Sequence, residues 1–276
     1  MNKRLPQMIL LGIKQFKDPY YQGFAAQMAF YFLLSLVPMI IVLSQLLGVF
    51  DISLDFLDDW IEAYVSTDAT EILRDLIHYK PVVASNIMFI ILALWAASRA
   101  QFSMMRITNY TMTEGKSTGN GYWRERFRAV KTIAITLFTL AFSLIILVYG
   151  EIILELIFGS VIRGTQIDTL WTYLRWPIGM VLYFLMVSYN YYVLPSEKVR
   201  FREIVPGSTF ASVGLLIVTI FYSNYTGYTT NYDIIYGSLA SIVALMFWFY
   251  FLAWVLCIGI LVNKVWKDTS PKNKTT

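Results

Sequence analysis

Four charged side chains stand inside, or at the ends of, stretches that otherwise carry no charge: Arg99, Glu151, Glu155 and Arg175. An ionisable group in an apolar run is costly to keep there, which makes it a functional candidate by default. Glu151 and Glu155 fall one helical turn apart on one face. Both lie near the outer end of the third such stretch, and Arg175 near the outer end of the fourth, so all three sit at comparable depth. That placement predicts a pair between Arg175 and Glu151 or Glu155. The pair serves either as structural glue or as half of a site that releases its carboxylate when an anionic head group arrives. Arg99 follows Trp95 near the inner end of the second stretch. From there it either snorkels to water or meets a phosphate. Among uncharged groups, Asn190 is a candidate, together with Gln27, Ser35, Ser44, Gln45 and Ser212, all of which suit hydrogen bonds between helices.

Catalytic chemistry is poorly served by this inventory. The chain has 1 His and 1 Cys, so it can form neither an internal disulfide nor a cysteine metal cluster. A metal-dependent nuclease needs His and carboxylate ligands gathered around a phosphate. Asp18, Glu114, Glu125, Glu197, Glu203 and Asp268 are instead scattered without ligand spacing. No glycine-rich phosphate loop and no nucleophile elbow is present. The expectation is a non-enzyme with no metal and no cofactor.

The elements that must position these groups are six uncharged runs, at 19–50, 81–98, 132–150, 176–196, 204–232 and 234–263. Each approaches or exceeds the roughly 20 apolar residues that carry a helix across a bilayer. In lipid only a helix or closed barrel satisfies its own backbone, and these runs are too continuously apolar for alternating barrel strands. The expected fold is therefore all-α and polytopic, with six transmembrane helices.

Charge supplies the orientation. Lys3, Arg4, Lys14 and Lys17 precede the first run; Asp51, Asp55, Asp58, Asp59, Glu62, Asp68, Glu71 and Asp75 dominate the segment after it. The next connection is basic (Arg106, Lys116, Arg124, Arg126, Arg128, Lys131), and so is the one holding Lys198, Arg200 and Arg202. The tail carries Lys264, Lys267, Lys272 and Lys274. Since Lys and Arg favour cytoplasmic loops, both termini are expected inside and the acidic loop outside. The net charge of +4 then reflects orientation and attraction to anionic lipid rather than nucleic-acid binding.

Residues 1–18 place Leu5, Met8, Ile9, Ile13 and Phe16 opposite Lys3, Lys14 and Lys17, predicting an amphipathic helix on the membrane surface before the chain turns in at Asp18 and Pro19. The membrane domain then occupies 19–263 and a basic tail 264–276. Leu54, Leu57, Ile61 and Tyr64 predict a short amphipathic outer helix, and Asp68 with Glu71 opens a second, making a helical outer loop at 51–80. Tyr222, Tyr225, Tyr228, Tyr232 and Tyr236 suit an interfacial belt. Pro38, Pro177 and Pro206 can break or cap helices. Gly207 with Ala211, and Gly237 with Ser241, offer small faces for close packing or self-association, so a homo-oligomer is one expected assembly.

The first run also carries Ala25, Ala26, Ala29, Phe30, Tyr31, Phe32, Leu33, Leu34, Ser35, Leu36 and Pro38 in the order of a known signature. It continues with Trp95, Ser98, Arg99, Asn109 and Tyr110, then Pro195, Pro206 and Gly207, and finally Tyr232, Tyr236, Gly237, Leu239, Trp248, Gly259 and Asn263. Across nearly its whole length the chain resembles the YihY/BrkB family of bacterial inner-membrane proteins. Where that family typically ends in Gly-Ala-Glu-Leu-Asn, this chain reads Gly259, Ile260, Leu261, Val262, Asn263, so no role of that Glu transfers. The resemblance implies a six-helix plasma-membrane protein with cytoplasmic termini. It also brings two discordant labels, ribonuclease in tRNA processing and virulence factor or transporter linked to envelope lipid. Trp95 and Asn109, as motif positions, join Arg99, Arg175, Glu151, Glu155 and Asn190 as candidate substrate-binding residues. The function expected is translocation of a lipid or other anionic amphipathic substrate, with membrane lipids as partners and no nucleic acid. The alternative is a non-catalytic assembly partner.

Overall fold

The computed structural model describes residues 4–48, 83–158, 164–228 and 240–270. The predicted outer helical loop at 51–80, His78, Tyr232, Tyr236 and Gly237 lie outside them. Every regular element among the described residues is a helix: α1 (Arg4–Phe16), α2 (Tyr20–Gly48), α3 (Val83–Met112), α4 (Tyr122–Phe158), α5 (Gly164–Val193), α6 (Phe201–Tyr228) and α7 (Ala240–Asp268). Four of them, α4 to α7, are long and apolar enough to cross a membrane by length and composition. The protein is thus a polytopic helical membrane protein.

Each long helix packs against the next along the chain, and α7 closes back onto α2, so six helices form a ring. Their outer surface is apolar: Phe138, Leu156, Trp176, Ile220 and Phe221 are exposed, as residues facing hydrocarbon must be. The buried core lies where the start of α2 meets the ends of α3, α5 and α7. There Met28, Met105, Ile107, Tyr191, Leu194, Cys257 and Ile260 are almost fully covered. α1 lies against α7, with Phe16 and Trp254 in ring contact at 5.0 Å. The chain then turns at Asp18 and Pro19. Asp18 caps α2, its Oδ1 accepting from the Tyr20 backbone N–H at 3.0 Å, while Pro19 precedes the helix, where its missing N–H costs nothing.

Five of the six long helices extend beyond their uncharged runs. α3 continues through Arg106, Asn109 and Tyr110, and α4 begins at Tyr122, so Arg124, Arg126, Arg128 and Lys131 are helical rather than loop residues. Charge ends an apolar run without ending a helix, because Arg and Lys are good helix formers. Lys264, expected in the tail, is buried in the last turns of α7, where its Nζ reaches Glu114 at 3.2 Å and Asp268 at 3.0 Å.

The three prolines sit inside helices rather than ending them. At Pro206 the next backbone N–H, that of Gly207, donates to Asn263 Oδ1 of α7 at 2.7 Å. A neighbouring helix thus satisfies backbone at a proline, as hydrocarbon cannot. Gly207 is needed here: a Cβ would collide with the Gly259 carbonyl and the Asn263 side chain. The Gly207–Ala211 face is therefore used within the chain, in the α6–α7 contact.

Candidate functional site

Among the described residues three clusters of polar groups stand out in the bundle, and they differ in how completely their members are satisfied. The first joins the ends of α3 and α5 to the start of α4. Glu125, in the first turn of α4 and almost wholly buried, accepts from the Asn120 backbone N–H at 3.1 Å and Ser196 Oγ at 2.8 Å. Its other oxygen pairs with Arg128 Nη1 at 2.7 Å. Arg128 Nη2 donates to the carbonyls of Val193, Leu194 and Pro195 at 2.6, 3.1 and 2.9 Å. These include the open C-terminal end of α5, where a cation also meets the helix dipole favourably. Asn109 Oδ1 accepts from the Ser196 backbone N–H at 2.7 Å, and its amide donates to Thr118. Gly119, at φ 135°, lets the loop pass: a Cβ there would sit 2.9 Å from the Glu125 side chain.

Next to it lies a cavity of about 480 Å³ between α1, the start of α2 and the ends of α3 and α7. Asp18 and Tyr110 line it, the tyrosine hydroxyl donating to Asp18 Oδ2 at 2.7 Å. That hydrogen bond to the carboxylate is the main reason the Tyr110 phenol is pushed up to about 12, with burial adding to it.

The second cluster is inside the ring. Asn190 accepts from Gln101 Nε2 at 2.7 Å and from Thr136 Oγ1 at 3.4 Å, and donates to the Met186 carbonyl at 2.8 Å, tying α3, α4 and α5 together. Ser103 donates to Gln27 at 3.2 Å, and Tyr191 to the Leu256 carbonyl at 2.8 Å. Ser188, Ser208, Ser212 and Trp248 nonetheless bury a hydroxyl or indole N–H with no protein partner among the described residues. Buried polar atoms are nearly always hydrogen-bonded, so each such exception calls for an explanation.

The third cluster is aromatic and cationic. The guanidiniums of Arg99 and Arg126 lie 4.3 and 4.8 Å from the centre of the Trp95 indole. Arg126 also donates to the Trp95 carbonyl at 2.9 Å, and Arg99 lies 6.0 Å from the Tyr31 ring. Neither arginine has a carboxylate partner among the described residues.

Of the predicted residues, the structure brings together Trp95 and Arg99. It puts Asn109 in the first cluster and Asn190 in the second, each held by several bonds. Arg175 and Glu155 are both exposed and form no ion pair with each other; the Arg175 guanidinium rests instead 5.5 Å from the Trp176 ring. The Glu155 half of the predicted pair therefore does not form. The Glu151 side chain lies outside those described. Sequence reasoning overlooked Arg126, Glu125 and Arg128, having counted them only as loop charge. The signal available was their spacing at 125, 126 and 128, which sends neighbouring charges to different faces of a helix. Among the described residues no three His, Cys, Asp or Glu side chains gather as a metal site.

The family described as Virulence factor BrkB matches residues 13–276. A ribonuclease-like protein of Bacillus subtilis, YfkH, is 28% identical over 247 residues, covering 88% of each chain. UPF0761 membrane proteins of Xanthomonas campestris pv. campestris and Chromohalobacter salexigens are 34% and 30% identical over 76 and 81 residues, covering 28% and 29% of this chain and 18% and 20% of theirs. No solved structure matches.

Proposed function

The chain belongs to the BrkB family of membrane proteins, and from that premise we propose that it carries a lipid or other anionic amphipathic substrate through the bilayer. In this reading six helices span the bacterial plasma membrane, with α2 and α3 completing the ring and both termini in the cytoplasm. The observation that carries it is the interior. Ser188, Ser208, Ser212 and Trp248 bury polar atoms without protein partners, a cost that a purely structural bundle would avoid. Such atoms suit a route that a head group or water visits. The cavity beside Asp18 and Tyr110 is then a mouth at the cytoplasmic end of the bundle.

The reading is non-catalytic. The word ribonuclease in the name of the Bacillus relative describes that protein, and four of the six acids expected on the inner face here are engaged structurally. Glu125 holds Arg128, Glu114 and Asp268 hold Lys264, and Asp18 caps α2. The assembly-partner alternative loses one of its motivations, since Gly207 and Ala211 pack against Gly259 of the same chain.

The test is leaflet exchange. The full chain is reconstituted into vesicles containing a fluorescent phosphatidylglycerol, and dithionite quenching reports how fast label changes leaflet. Exchange faster than in protein-free vesicles is expected. Equal rates, or cleavage of added tRNA by the same preparation that is lost when inner-face acids are neutralised, would overturn the proposal.

A further inference from the structure

Trp95 is unusual in carrying two cations, one of which, Arg126, is almost fully buried. Trp95 is 48% exposed, so the arrangement opens outward rather than sealing a core. Two guanidiniums against one ring repel each other, and contact with a π face attracts a cation without neutralising it. Glu125, the acid beside Arg126 in sequence, is taken up by Arg128, Ser196 and Asn120. Arg126 uses one donor on the Trp95 carbonyl, and Arg99 donates no hydrogen bond among the described residues. Among the described residues most of the donors of the two planar forks meet no protein acceptor, and those forks match phosphate oxygens. The neighbourhood says where the ligand comes from. Tyr122, Trp123 and Phe127, around the first turn of α4, are all strongly exposed, and Tyr122 packs on Phe102 of α3. An aromatic rim of this kind belongs at the head-group level of a bilayer.

We propose that Trp95, Arg99 and Arg126 form a site on the side of the bundle for the phosphate of an anionic phospholipid in the inner leaflet. The site deepens the transport reading and rests on it for its purpose, but lipid binding here can be measured without transport. The phosphate lies between the two forks, the Trp95 ring backs it, and the acyl chains run along the apolar exterior.

Native mass spectrometry of the full-length protein in detergent tests this, with phosphatidylglycerol as probe, diacylglycerol of the same chains as the phosphate-free comparison, and inorganic phosphate as competitor. The wild type should retain phosphatidylglycerol at least about tenfold better than diacylglycerol. Arg99→Gln should remove several-fold of that preference, and Arg99→Gln with Arg126→Gln should abolish it. Arg202→Gln, an exposed cation elsewhere on the inner face, should leave it intact. Because Arg126 is buried, Arg99→Gln alone, with its thermal unfolding checked, decides the matter if the double variant fails to fold. Retention unchanged in Arg99→Gln overturns the site. Complete displacement by inorganic phosphate also overturns it, in favour of a free-anion site. Phosphatidylglycerol held by the wild type with no leaflet exchange sinks the transport reading and leaves this site standing. Exchange that persists in a variant that no longer holds lipid confirms the site and overturns its part in transport.

Discussion

Two arginines two positions apart on α4 behave in opposite ways. Arg128 is saturated: it has the Glu125 carboxylate, the Ser196 hydroxyl and three carbonyls at the end of α5. Arg126, two positions earlier, points the other way, to Trp95 and Arg99, and meets no acid among the described residues. Successive helical positions are turned by about 100°, so two residues apart is nearly the opposite side of the helix. The saturated side locks the loops at one end of the bundle. The unsaturated side is available. A charge whose partners are all protein groups reports on folding; one left without a counter-charge reports on what else must arrive.

The sharpest way to break this contrast is on the saturated side. Glu125→Ala strips Arg128 of its carboxylate and leaves Ser196 and the Asn120 N–H short of an acceptor. A cost of about 3 kcal/mol is expected, as for a buried pair deprived of one partner. Thermal unfolding in detergent measures it, and a shift too small to detect would mean that the lock is not structural. Asn190→Ala sharpens the same comparison inside the ring. It leaves Gln101 without its acceptor, for an expected loss of about 1 kcal/mol, read in the same assay, with lipid retention preserved. The smallest effect belongs to the unsaturated side. Arg99→Gln should change stability by no more than about 0.5 kcal/mol, the range of a surface substitution, while reducing phosphatidylglycerol retention. A large loss of stability from Arg99→Gln would place that arginine with the structural group and erase the distinction.

The candidate site was legible in sequence only in part. Arg99 stood out because it borders an uncharged run and Trp95 as a position of the family motif, and the structure joins them. Arg126 was invisible among six basic residues counted for orientation. Its particular role depends on which way one helical face turns relative to α3, which spacing along α4 alone cannot reveal. Arg175 and Glu155 were matched on expected depth alone, and matching depth does not bring side chains together when helices are free to rotate about their axes. Asn190 was picked out as a polar residue and Asn109 as a motif position, and packing turned both into hydrogen-bonded ties.

Composition and hydrophobic run length by themselves determined that this chain is a bundle of helices in a membrane, because the backbone has no other way to satisfy itself in hydrocarbon. They also determined the amphipathic start and the turn at Asp18 and Pro19, which rest on local chemistry. The tertiary structure alone decided that α7 closes on α2, that Gly207 and Asn263 join two helices across a proline, and which arginines find a carboxylate. Those outcomes depend on helix rotation and contact between residues far apart in the chain, and an apolar run is nearly the same from every side until a neighbour packs against it.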